Sequence, residues 1–355
     1  MDPLTQGALG SAAAQAVMGR RLPRSAWLIG WAAGMAADLD VFIRPASDPL
    51  MGWSYHRHFT HALAFIPIGA AIAALPFLLV PALRHYRRDV FVTALIAYAT
   101  HGLLDACTTF GTVLYWPFSD VRVAWSFIGI IDPFFTLTLA IGIGWSVRRQ
   151  RRRPACIALV IAGLYMGIGA IQHHRAIGIQ HALAAQRGHT IVRGAVLPTP
   201  ANLILWRSVY QTGRMLQCDT LRLPFLADAT VRPGPTGEVA AIERYEHKGS
   251  LSAQARDAYA RFAWFADGYI APDARDERVI ADARYIMEPD RFAGLWGLLI
   301  PSTDDANETA RLIRFERSPG VTWLWDALLG RDLAFRPLPA GQDKHQRNEL
   351  TFPAE

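Results

Sequence analysis

Lysine and glutamate are absent from the first 184 residues of this 355-residue chain. Fifteen arginines and eight aspartates carry their formal charge, +7, which leaves −1 for residues 185–355 out of a total of +6. The basic balance thus belongs to the more apolar half. A nucleic-acid surface needs its charge on one soluble face with aromatics interleaved, so no nucleic-acid partner is expected. The three cysteines, Cys107, Cys156 and Cys218, form no CxxC pair, which argues against a disulfide framework or a zinc ribbon. No GxSxG elbow and no HExxH helix occurs, so serine-hydrolase and zincin chemistry have no motif support. No basic stretch precedes the first apolar run, so a cleavable signal peptide is not expected.

What is present is apolar sequence in blocks. Residues 62–83, 90–107, 125–147 and 155–172 read as four firm membrane spans. Residues 4–17 and 26–37 fall short of the ~20 residues a span requires and read as two short membrane helices. From about Gly188 the texture changes to short alternating runs (203–210), Pro/Gly punctuation at 233–237 and frequent charge. The predicted fold class is an α-helical polytopic membrane domain, residues 1–180, followed by a soluble α+β or mostly β domain, residues 188–355. A helix is predicted near 252–266.

The arginines orient this array. Arg20, Arg21 and Arg24 form one cluster, Arg84, Arg87 and Arg88 a second, and Arg148, Arg149, Arg151, Arg152 and Arg153 a third. They fall in alternate loops, and the positive-inside rule makes that side cytoplasmic. The C-terminal domain is then expected on the extracytoplasmic side.

The opposite loops hold the chemistry. His101 and Asp105, spaced i, i+4, share one face of a helix. Asp38 and Asp40 close an apolar helix, where the helix dipole and desolvation both disfavour a carboxylate and a cation removes both objections. His56, Arg57, His58 and His61 precede the first firm span, with Thr60 a candidate N-cap. Ionisable groups beside membrane-length segments are functional-site candidates by default. Asp38, Asp40, His56, His61, His101 and Asp105 together suffice for one divalent metal ion, or two, of the zinc type. Arg57 is the candidate clamp for an oxyanion or phosphate, and Asp132 a candidate carboxylate orienting a ligating imidazole.

At these residues the chain resembles a known family. Met1-Asp-Pro-Leu-Thr5, Asp38-Leu-Asp40, His56-Arg57 with Thr60-His61, and His101-Gly-Leu-Leu-Asp105 with Thr108 and Gly111 are similar to the YdjM family. So are Trp116–Asp120 and Ile131-Asp132-Pro133. The family comprises bacterial inner-membrane proteins described as metal-dependent hydrolases, and the resemblance covers the first half of the chain. It implies a multi-pass protein of the cell inner membrane. One departure is Gln6, where a histidine commonly follows the threonine.

The expected function is a membrane-bound metal-dependent hydrolase in which metal-activated water acts on a lipid or envelope substrate, a phosphoester among them. Its expected partners are the bilayer and that substrate. Two readings compete. An ion-coupled transporter would carry ionisable residues at the bilayer midplane, on broken helices within inverted repeats. A non-catalytic protein would hold a coordinatively closed, structural metal.

Overall fold

The computed structural model describes residues 1–22, 24–43, 51–246, 251–286, 288–301, 309–315 and 320–338. Helix α1 (Pro3–Met18) begins where Asp2 caps it, its side chain accepting from the Thr5 amide, with Pro3 preset for the first turn. Helix α2 (Ala26–Met35) packs along it. A Cβ on Gly30 would lie 2.6 Å from the Gly10 carbonyl, so two glycines allow the backbones to touch. Beyond α2 the chain tightens into a 3₁₀ segment, Ala36–Phe42. The short α3 (Met51–Tyr55) and two single 3₁₀ turns, Phe59–His61 and Leu63–Phe65, lead into α4 (Ile66–Leu78). Helices α5 (Arg87–Ala106), α6 (Pro133–Arg149) and α7 (Arg153–Gln186) complete the helical region. Alanine and glycine line its inner faces, among them Ala12, Ala33, Ala94, Ala97 and Ala162.

Four firm spans are not what forms. Among the described residues only α7 is both long and apolar enough to cross a bilayer. The uncharged run 62–83 is broken by 3₁₀ turns and prolines, leaving a 13-residue α4. At 1.5 Å per residue that helix reaches about 20 Å, short of the ~30 Å hydrocarbon core. Helix α5 has 20 residues but opens on Arg87, Arg88 and Asp89 and closes on Asp105. Helix α6 has 17 and ends on Arg148 and Arg149. Both α6 and α7 still present outward apolar rows, Leu137, Ile141 and Trp145 on one and Val160, Leu164 and Ile171 on the other.

Helix α7 runs for about 50 Å, so it outlasts any membrane core. Its C-terminal half docks onto the sheet-rich region. Gln172 donates to the Leu203 and Leu223 carbonyls, Gln180 donates to Ala195 and Val209, and Arg187 following the helix pairs with Asp219. Strands β1 (Arg193–Pro198), β2 (Leu205–Thr212), β3 (Met215–Arg222) and β4 (Thr230–Glu238) form an antiparallel meander. After α8 (Glu243–Glu246) and α9 (Ala253–Phe265) come β5 (Ile270–Pro272), β6 (Val279–Asp282), β7 (Trp296–Leu299) and β8 (Arg311–Arg314) in a second antiparallel sheet. Helix α10 (Gly320–Leu328) and β9 (Arg336–Pro337), which edges the first sheet beside β4, close the described chain. Ser252 caps the helix predicted near 252–266. The Pro/Gly run 233–237 lies within β4 rather than in a loop, its pairing with β3 shifted between Gln217 and Asp219.

Candidate metal centre

Helix α5 carries His101 and Asp105 inward, both fully buried. The 3₁₀ segment after α2 supplies Asp38 and Asp40, and the 3₁₀ turn Phe59–His61 brings His61 between them. Close approach depends on Gly102, where a Cβ would stand 2.1 Å from the His61 carbonyl oxygen. An α-helical turn would point residues 38 and 40 to different faces, whereas here both carboxylates face the His56–His61 segment. Asp38 Oδ1 lies 3.5 Å from His61 Nε2 and 3.3 Å from His101 Nε2. Asp105 Oδ2 lies 3.3 and 3.6 Å from the same two nitrogens. All four donor atoms fall within 4.8 Å of one another.

These separations decide what fits. Four ligands about 2.0–2.1 Å from a tetrahedral ion stand roughly 3.3–3.4 Å apart, at the lower end of the 3.3–3.6 Å that the four contacts span. Hydrogen bonding does not explain them. His61 Nε2, His101 Nε2 and Asp105 Oδ2 are buried without a hydrogen-bond partner. The tautomers agree. His101 Nδ1 lies 2.5 Å from the Gly34 carbonyl, which can only accept, so Nδ1 carries the proton and Nε2 is left open. His61 Nδ1 lies 3.0 Å from Thr60 Oγ1, which itself donates to Asp40 Oδ2 at 3.0 Å. A second group, Asp38, Asp40 and His56, also brings one donor atom each within 4.8 Å. His56 Nδ1 is 2.8 Å from Asp40 Oδ1.

Charge points the same way. Three carboxylates, Asp38, Asp40 and Asp105, meet one guanidinium and the Met1 α-amino group, which contacts Asp105. Burial opposes a charged imidazole at His61, yet Asp105, Asp38 and Asp40 around it prevail and raise its pKa to about 10. Burial would likewise raise Asp40, but His56 and His61 hold it well below the usual carboxylate range. A proton is thus drawn to the place a metal would fill.

Arg57 sits in the left-handed region, φ 61°, a conformation non-glycine residues seldom hold outside functional or tightly determined sites. Its amide donates to Asp40 Oδ2 at 3.0 Å and its Nη1 to Thr108 Oγ1 at 3.0 Å. Its Nε stands 3.1 Å from Asp105 Oδ2, an ion-pair distance without hydrogen-bond alignment. The guanidinium therefore already serves the ligand carboxylate. Asp132 lies apart from the cluster. It caps α6, accepting from the Phe135 amide at 3.0 Å and the Tyr165 hydroxyl at 2.8 Å, and among the described residues it orients no imidazole. Thr60 caps no helix, because α4 starts only at Ile66. Sequence reasoning missed Thr60 and Thr108 as supports of the site, although both lie beside its motifs. Gln6 donates to Asp105 Oδ1 at 2.8 Å, so it braces a candidate ligand.

The fold and site define a helical membrane-protein region with a candidate metal centre, joined to a sheet-rich C-terminal part. Residues 1–176 match the family described as YdjM inner membrane protein, and through them the chain belongs to that family. Its place is accordingly the inner membrane. No curated protein and no solved structure matches the chain.

Proposed function

We propose that this protein is a membrane-bound metal-dependent hydrolase acting on a lipid or envelope phosphoester. The observation that carries the reading is that two donor groups share Asp38. One is the four-donor set of Asp38, His61, His101 and Asp105, and the other the three-donor set of Asp38, Asp40 and His56. A carboxylate common to two neighbouring positions is what a two-ion hydrolytic site needs, and the three-donor position keeps room for water or substrate. The His56 side chain is 28% exposed and Asp38 17%, so that position is the one nearer solvent.

A divalent ion of the zinc type, when bound, supplies Lewis acidity that polarises a phosphoryl oxygen and acidifies water. The chain's own residues do the rest. The Gly34 carbonyl and Thr60 fix the imidazole tautomers, Gln6 braces Asp105, and Arg57 balances its charge. Helix directions support an extracytoplasmic site in a multi-pass arrangement. From Asp105 back to Arg87 along α5 is about 27 Å, so the arginine end lies a membrane thickness from the cluster. By the positive-inside rule the site and the sheet-rich part then face outward.

One observation favours a structural ion instead. Four protein ligands close a tetrahedral site, as structural zinc sites are closed. The test is turnover by the purified full chain on phosphatidic acid and on soluble phosphomonoesters, before and after chelation and metal return. Metal-dependent phosphate release that His56→Ala reduces supports the hydrolase. Tight metal binding with no turnover in any condition supports the structural ion.

A further inference from the structure

On the side of the cluster that faces the sheet-rich part lies a cation that makes no ion pair among the described residues. Arg122, in the loop between α5 and α6, donates through Nη2 to the Phe110 and Gly111 carbonyls at 3.3 and 2.8 Å. Its Nε and Nη1 are buried and make no hydrogen bond. Its neighbours add to the imbalance. Burial first, then Arg284 and Arg57, push its pKa down to about 9. Arg284 is matched by Asp282 at 2.7 Å, and Asp105 is already engaged by Arg57 and the Met1 amine. Aromatic rings wall the guanidinium, with Phe110 at 5.2 Å, Phe265 at 5.3 Å and Trp264 at 5.4 Å from its carbon. Cation–π contacts favour the charge but give Nε–H and Nη1–H no acceptor. Gly111, at φ +83°, keeps its Cα bare beside them, and a Cβ there would lie 3.3 Å from Nε. The ring of Phe110 also lies under Arg57, 4.7 Å from its carbon, so Arg122 adjoins the candidate metal centre.

A guanidinium with two buried, idle donors and, among the described residues, no carboxylate partner lacks one thing, an oxyanion. We propose that Arg122 is an anion subsite that receives a phosphoryl group, with Trp264 and Phe265 of α9 forming its wall. As an anion site it stands on these contacts alone; its use for substrate rests on the hydrolase reading. It gives the sheet-rich part a role, completing the substrate pocket without holding metal.

The test is isothermal titration of inorganic phosphate into the detergent-solubilised full chain, both metal-loaded and chelator-stripped. Saturable binding is expected in the stripped protein. Arg122→Gln should weaken it about 10- to 100-fold, the usual worth of hydrogen bonds to a charged group. Arg122→Lys, which keeps charge but loses the planar fork, should fall between, and it carries the test if the Gln variant does not fold. Bicelles of phosphatidylcholine with phosphatidic acid identify the source. Displacement of phosphate by the doped bicelles alone assigns the subsite to a lipid headgroup, and no displacement assigns it to a soluble phosphoester. Absence of saturable binding in the wild type, or equal affinity in the folded Arg122 variants, overturns the proposal. Phosphate binding that persists in a protein without turnover counts against the hydrolase reading alone.

Discussion

Gly102→Ala alters no donor atom of the cluster and should still cripple it. The added Cβ would stand 2.1 Å from the His61 carbonyl oxygen, a backbone atom that cannot swing aside. Ordinary carbon–oxygen contact requires the α5 backbone and the His61 turn to part by about 1 Å, whereas metal–ligand distances tolerate about 0.2 Å. The turn also carries Thr60, whose hydroxyl joins His61 to Asp40 and whose carbonyl accepts from Tyr98, so the displacement spreads to Asp40. Overpacking of this kind costs about 1–3 kcal/mol in stability. Metal affinity should fall at least about 10-fold, comparable to the loss of a group that orients a ligand. The control is Gly167→Ala in α7, where nothing lies within 4 Å of the added methyl. That change should leave metal binding intact. The assay is competition with a coloured chelator on detergent-purified protein, beside thermal unfolding. A folded Gly102→Ala protein with wild-type metal affinity would refute the claim that contact between α5 and the His61 turn sets the ligand geometry.

Asp132→Ala should keep wild-type metal content while lowering stability by about 0.5–2 kcal/mol, because it removes a helix cap outside the cluster; lost metal would show that the carboxylate does orient a ligand. His61 gives a pH signature. Its folded pKa, about 10, lies above the ordinary histidine value of about 6.5, so its contribution to metal-free stability is full below about pH 6.5 and lost as pH rises towards 10. Unfolding temperature of chelated protein should therefore fall over that window and that of metal-loaded protein should not; parallel profiles would contradict the assignment. A reporter fused after Glu355 should be active only if its fold requires the extracytoplasmic compartment, and activity of a cytoplasm-only reporter would reverse the proposed topology.

The sequence makes the cluster legible because its residues are costly where they stand. His101 and Asp105 at i, i+4 on an apolar helix, and Asp38 and Asp40 at a helix C-terminus, have few comfortable explanations other than a cation. Spacing also requires that the helix before Asp38 end, and it does so at Met35. The spans were harder to read. Hydropathy sums apolar residues without seeing that the run 62–83 starts in a 3₁₀ turn, Leu63–Phe65, and leaves α4 for another 3₁₀ segment at Pro81. Thr60 looked like a helix cap because a β-hydroxyl before an apolar run has that appearance, yet Asp40, 20 residues earlier in the chain, takes its hydrogen bond. Asp132-Pro133 reads equally as a site carboxylate or as a cap with proline in the first turn, and Tyr165 from α7 settles its second oxygen. The surroundings of Arg122 are invisible in sequence because two of the three rings against it, Trp264 and Phe265, come from α9, more than a hundred residues downstream.

The central claim is that Asp38, His61, His101 and Asp105 hold a metal ion. Elemental analysis of the purified full chain, beside His61→Ala and His101→Ala variants shown to fold, tests it most directly. At least one tightly held divalent ion per chain in the wild type, and its loss in both variants, is the predicted result. A wild type without bound metal after metal-replete purification, or variants that retain its full content, would contradict the account.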